Sequence, residues 1–113
     1  MSNHDDQVSV RQMLDHAREI VALARGKTRE DLDADRTLNL ALARLMEIIG
    51  EAAGRVSDDY RAARPDIPWA QVIGLRNRLI HGYDTLDFDI LWDIVSLDMP
   101  ILVAALEKAL DGQ

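Results

Sequence analysis

The chain has 113 residues, 48% hydrophobic but only 4% aromatic, with no cysteine and a formal charge of −7. That length suits one domain with a real core, and an aliphatic, aromatic-poor composition favours packed helices over a sandwich of strands. Disulfides, thiolate zinc sites and thiol nucleophiles are excluded, and the negative charge argues against a broad nucleic-acid-binding face.

The acidic opening MSNHDDQ lacks the pattern of a signal peptide. The longest apolar runs, such as Ile101 to Leu106, are too short for a bilayer. A cytoplasmic protein with no membrane contact is expected. Charge is unevenly spread: Arg55 to His81 holds five arginines and three aspartates, a local +2 that leaves −9 elsewhere. A focused anion site on an acidic body fits this pattern, as does an unevenly charged solvated surface.

Residues 1–7 are expected to be disordered, and 8–111 to form one helical domain. Val10, Met13, Leu14, Ala17, Val21 and Ala24 recur at steps of three and four, predicting a first helix that stops at Gly26. An acidic linker, Arg29 to Asp35, offers Asp33 or Asp35 as the next N-cap. Leu38, Leu42, Leu45, Ile49, Ala52 and Val56 form a heptad-like seam, predicting a second helix to about Tyr60. Pro68 suits the first turn of a third helix carrying Trp69, Val72, Ile73 and Ile80 and ending near Gly82. Asp87 caps a fourth helix reaching about Leu110, which Pro100 should kink by leaving the Ser96 carbonyl without its partner.

Two apolar stripes run along that fourth helix, one through Leu91, Val95, Met99 and Leu106, the other through Ile90, Ile94, Leu97 and Ile101. Together they cover roughly 240° of its circumference, where one core-facing stripe needs little over ~100°. The surplus predicts contact with a second chain; a fully buried central helix is the alternative. The expected fold class is all-α, an antiparallel four-helix bundle forming a two-fold homodimer.

Residues 76 to 83 read RNRLIHGY. Arginine holds a permanently charged fork suited to phosphate, and histidine titrates near neutrality and moves protons. On a regular helix Arg76 and Tyr83 share one face and Asn77 and His81 another, whereas Arg76 and His81 diverge by about 140°. Convergence therefore requires the helix to unwind at His81-Gly82 or a second protomer to complete the site. The chemistry such a site allows is attack by a ribose 2′-hydroxyl on the adjacent phosphate. His81 would be general acid or base, and Arg76 would steady the developing charge. Asn77, Arg78 and Tyr83 are candidate phosphate-binding, RNA-binding or orienting residues. The structural alternative is a histidine that caps a helix end.

The octapeptide resembles the RxxxxHxY signature of the HEPN superfamily, and the chain is similar to its HepT-like toxin branch. Glu47 to Ala52 (EIIGEA) resembles that branch's ExxGEA segment, PDIPW and IGLRN resemble its approach to the motif, and Val95 to Leu102 resembles its last helix. The resemblance covers about residues 8 to 110. It implies a small all-α homodimer and a metal-independent endoribonuclease, with no cofactor, acting as the toxin of a toxin–antitoxin pair. Arg76 and His81 match the catalytic pair, and Asn77 the polar residue after the arginine. Tyr83 matches a tyrosine to which a minimal nucleotidyltransferase antitoxin transfers AMP. The rival reading is a non-catalytic helical module that binds such a nucleotidyltransferase.

Other constellations carry less. Glu47 and Glu51, four apart, lack the Glu-x-x-His companions of a di-metal bundle and suit arginine partners: Arg44, Arg55 or the motif arginines. No metal site is expected. His16 reads as an exposed helical residue, Trp69 and Trp92 as core anchors. Gly50 and Gly54 predict close approach of another helix, since each costs about 1 kcal/mol relative to alanine.

Overall fold

The computed structural model describes residues 5–81 and 85–111, excluding the side chain of His81. It is an all-α bundle, with α1 (Asp6–Ala24), α3 (Arg36–Gly54) and a C-terminal run of α7 (Phe88–Asp93), a π turn (Ile94–Asp98) and α8 (Met99–Asp111) as its long members. Shorter helices connect them: α2 (Arg29–Ala34), α4 (Asp58–Ala63), α5 (Trp69–Ile73) and α6 (Leu75–Leu79).

Local chemistry sets most boundaries. The Asp5 carboxylate accepts the Gln7 N–H, so α1 opens at Asp6, two residues before the expected domain start. Gly26, at φ 75, ends the turn that follows α1. The segment expected to be an acidic linker is helical. Thr28 and Asp31 form a reciprocal capping box around α2, whose backbone and hydroxyl hydrogen bonds hold the Asp31 carboxyl below its ordinary pKa. With Leu32 as its one buried residue, α2 has too little apolar periodicity to be read from sequence.

Of the two candidate caps it is Asp35 that accepts the Leu38 N–H and opens α3, while Asp33 pairs with Arg29. The seam does not run on to Tyr60. α3 stops at Gly54, where Arg61 donates to the carbonyls of Ala53 and Gly54, and Ser57 caps a separate α4. Ser57 also donates to Asp6, placing the end of α3 beside the start of α1. Arg64 donates to the Ala109 carbonyl near the end of α8, and Val21 and Ala24 of α1 share a recess with Trp92 and Val95. Both long neighbours therefore run antiparallel to α1.

Their common core buries Met13, Leu14, Ile20, Leu42, Met46, Ile49, Leu91, Ile94, Met99 and Leu106. Each such side chain contributes about 1.5–3 kcal/mol relative to exposure. Trp69 is an anchor as expected, its indole donating to the Arg64 carbonyl and its ring meeting Tyr60 edge-on; Trp92 is only half-buried. His16 is half-buried against Glu19 rather than fully exposed.

The π turn stands where a kink was expected. Pro100 has no N–H to offer Ser96, and immediately before it the ladder widens so that Met99 N–H reaches the Ile94 carbonyl. The Ser96 hydroxyl returns to the Trp92 carbonyl at 2.6 Å. Within this turn the second stripe leaves the core: Ile94 is fully buried, but Leu97 is 59% and, beyond the turn, Ile101 69% exposed. The C-terminal run is therefore not a fully buried central helix.

Candidate functional site

The motif does not sit on one continuous helix. The expected third helix breaks at Gly74 and ends again at Leu79, before the histidine. Ile80 is extended, at φ −101 and ψ 125. Ile80–His81 (β1) pairs antiparallel with Thr85–Leu86 (β2), Ile80 opposite Leu86 and His81 opposite Thr85. The Asp87 N–H reaches back to the Leu79 carbonyl at 2.8 Å, and the Asp87 carboxylate caps α7 as expected. This short bridge gives Ile80 and His81 backbone partners once the helical ladder has ended.

Two expectations therefore change. Asn77 and His81 do not share a helical face, and no helix carries Arg76 on to Tyr83. The unwinding needed to free His81 from the helical divergence does occur, one residue earlier than expected. Gly82 and Tyr83 lie outside the described residues.

Arg76 is placed by a close approach of backbones. A Cβ on Gly50 would stand 3.2 Å from the carbonyl oxygens of both Val72 and Ile73. With hydrogen there, α5 can rest on α3, and Arg76, one turn further on, arrives over Glu47, one turn before Gly50. Arg76 Nε meets Glu47 Oε2 at 2.7 Å. The second Glu47 oxygen pairs with Arg44, whose guanidinium also lies 3.8 Å from Glu51. The two glutamates are thus arginine partners, as their spacing predicted, and among the described residues no cluster of three metal-ligating side chains occurs.

An arginine has five N–H donors. Glu47 takes the inner Nε and leaves the outer edge of Arg76, a side chain 58% exposed, turned to solvent. Asn77, also exposed, lines a recess of about 340 Å³ with Arg76, Glu47, Glu51 and Gly50. Arg78 goes elsewhere. Two residues from Arg76, it pairs with Asp98 on the π turn at 3.5 Å, across the opposite side of α6. That geometry gives it a place at the contact with the last helix rather than beside Arg76.

Close packing explains only one of the two helical glycines, because a Cβ on Gly54 would meet nothing within 4 Å. The basic stretch is likewise no single site: Arg61 and Arg64 cap the ends of α3 and α8. Sequence reasoning missed Arg36, which enters from α3, and offered Arg44 only as a partner of the two glutamates, which it is. The signal for Arg36 was the spacing Arg36, Leu40, Arg44, Glu47, which places all four on one helical face.

Comparison with known proteins identifies the family. Residues 13–109 match the family described as "Ribonuclease HepT-like". A candidate RNase of Methanocaldococcus jannaschii is 33% identical over 100 residues, covering 88% of this chain and 92% of that protein. A protein named probable ribonuclease HepT from Thermococcus cleftensis is 38% identical over 79 residues, 70% of this chain and 72% of its own. A candidate RNase of Caldanaerobacter subterraneus is 29% identical over 94 residues, 83% and 84% of the two chains. No solved structure matches the chain significantly. The resemblance carried by RNRLIHGY and EIIGEA is thereby borne out, and the chain belongs to the ribonuclease HepT-like family of the HEPN superfamily.

Proposed function

We propose that this protein is a metal-independent endoribonuclease, the toxin of a toxin–antitoxin pair, working as a homodimer. Family membership supports ribonuclease as the enzymatic class. The observation that carries the chemistry is Arg76, held at its Nε by Glu47 with its outer edge exposed, just before the chain unwinds into His81. In the proposed step the ribose 2′-oxygen bonds to phosphorus while the bond to the 5′-oxygen breaks. His81 takes the 2′-hydroxyl proton or protonates the departing 5′-oxygen. Arg76 neutralises the charge on the phosphoryl oxygens as it grows. The products are a 2′,3′-cyclic phosphate and a 5′-hydroxyl, and no metal is required.

A two-fold partner supplies the second imidazole and arginine of the cleft. Exposed Ile101 supports it, since it borders an apolar groove of about 190 Å³ between α5–α6 and α8, and Leu97, one turn earlier, is exposed as well. A minimal nucleotidyltransferase is the proposed antitoxin. AMP placed on Tyr83 would set a phosphate beside His81 and Arg76, filling the anion site and repelling RNA.

The test is RNA cleavage in EDTA by the partner-free protein beside His81→Ala. Cyclic phosphate ends that vanish with His81 are expected. Equal or absent cleavage in both samples would leave a non-catalytic module that binds a nucleotidyltransferase.

A further inference from the structure

On the far side of the Arg76–Glu47 pair lies a second recess, of about 320 Å³, that the proposed chemistry does not use. Its cationic members are Arg36 and Arg44 from α3, with Arg76 at one edge; its apolar floor includes Leu40, Ile80 and Leu86. Leu40, one of the residues of this floor, is 51% exposed. Arg36 is exposed and has no ion-pair partner among the described residues.

We propose that this recess is a nucleotide subsite for single-stranded RNA, holding the residue next to the scissile phosphate. The proposal rests on the ribonuclease reading for its connection to Arg76. Charge complementarity selects the occupant. Three guanidinium groups face the recess against one carboxylate, Glu47, on a chain whose net charge is −7. An anion with a flat apolar body fits such walls and floor, which is the chemistry of a nucleotide.

Spacing on α3 agrees. Arg36, Leu40 and Arg44 follow at intervals of four and rise about 12 Å along the helix. The base rests on Leu40, with one flanking phosphate at Arg36 and the other, the reacting phosphate, between Arg44 and Arg76, which share Glu47. Ile80 belongs to both the floor and the strand that carries His81, so a base seated there also fixes the direction in which RNA enters the catalytic step.

The test uses a fluorescent RNA hexamer with 2′-O-methyl groups, which binds but lacks the nucleophile, together with the unmodified hexamer for cleavage. Arg36→Gln is expected to weaken binding roughly threefold to tenfold and to flatten the slope of log K against log salt by about 0.7, the loss of one phosphate contact on a single strand. Leu40→Asn should weaken binding by a similar factor with the slope unchanged, because it removes apolar contact and no charge. Both positions are exposed, and thermal melts of the variants verify folding.

Wild-type affinity and slope in both variants overturn the subsite, as does a wild-type protein that binds no hexamer. A change of oligomeric state without a change in RNA binding also overturns it and assigns the face to a second copy of the chain. Loss of binding in the variants with no wild-type cleavage keeps the subsite and rejects the ribonuclease reading. Cleavage and binding unaffected by either variant do the reverse.

Discussion

The two sides of α6 differ although one five-residue helix makes both. Toward α3, Arg76 meets a carboxylate already shared with Arg44, and recesses with charged walls open on either hand. Toward α8, Arg78 meets Asp98 at the end of an apolar groove bordered by Met99, Ile101 and Leu102. Two arginines of one motif, about 200° apart on the helix, thus serve different surfaces. The lesson is that charge in a motif has no function until the neighbouring helix is known.

The largest effect should come from testing the arginines as a pair. Arg76→Ala is expected to lower kcat by about 10²–10³-fold, the usual cost of a donor to a developing oxyanion. Arg76→Lys should recover little of it, because a point charge lacks the planar fork that both Glu47 and phosphate engage. Arg78→Ala should leave kcat within about threefold. Steady-state kinetics on one RNA decide the matter, and equal losses at the two positions would erase the distinction between the two sides.

Next comes the contact that sets Arg76 in place. Gly50→Val forces a branched side chain against the Val72 and Ile73 carbonyls, 3.2 Å from where even its Cβ would lie. Destabilisation of about 1–3 kcal/mol is expected, along with reduced activity, since α5 and α6 must move. Gly54→Ala fills open space at the end of α3 and should be neutral or stabilise by up to about 1 kcal/mol. Thermal melts of the pair distinguish them; similar Tm values would mean that α5 does not depend on Gly50.

How much of this was legible in the sequence follows from the range of each interaction. Asp35 and Asp87 could be proposed as caps because a cap acts within three residues of itself. Glu47 could be offered to the motif arginines because carboxylates four apart on a helix need partners. The break at Gly74 and the early exit at Ile80 were not legible. Both answer to distant contacts, Gly50 against α5 and Leu86 against Ile80, and helical periodicity alone ran straight through them. α2 escaped notice because a helix with one buried residue has no stripe. Arg44 was legible as a partner of Glu47 and Glu51, whereas Arg36 escaped because its only signal is a regular spacing with Leu40 and Arg44 on the helix beneath RNRLIHGY.

Glu47 offers a gentler intervention than removing Arg76. Glu47→Gln keeps shape and hydrogen-bonding capacity but withdraws the charge that orients Arg76 and Arg44. A fall in kcat of about tenfold is expected, roughly 1.4 kcal/mol of transition-state stabilisation. Stability should change by less than about 1 kcal/mol, because both ion pairs reach solvent. An unchanged kcat would mean that Arg76 finds phosphate without guidance.

The smallest effect is reserved for the α8 side. Asp98→Asn releases Arg78 from an exposed pair, so stability should shift by less than about 1 kcal/mol, and less still at 1 M salt, where screening acts within about 3 Å. RNA affinity and its salt slope should not move, because Arg78 points toward the last helix rather than toward the recesses beside Glu47. If freeing Arg78 tightened RNA binding and steepened the slope by about 0.7, the signature of one added phosphate contact, the apolar groove would be part of the RNA surface. RNA would then pass over both faces of α6, and the pairing of Arg78 with Asp98 would restrain binding rather than mark the boundary of the site.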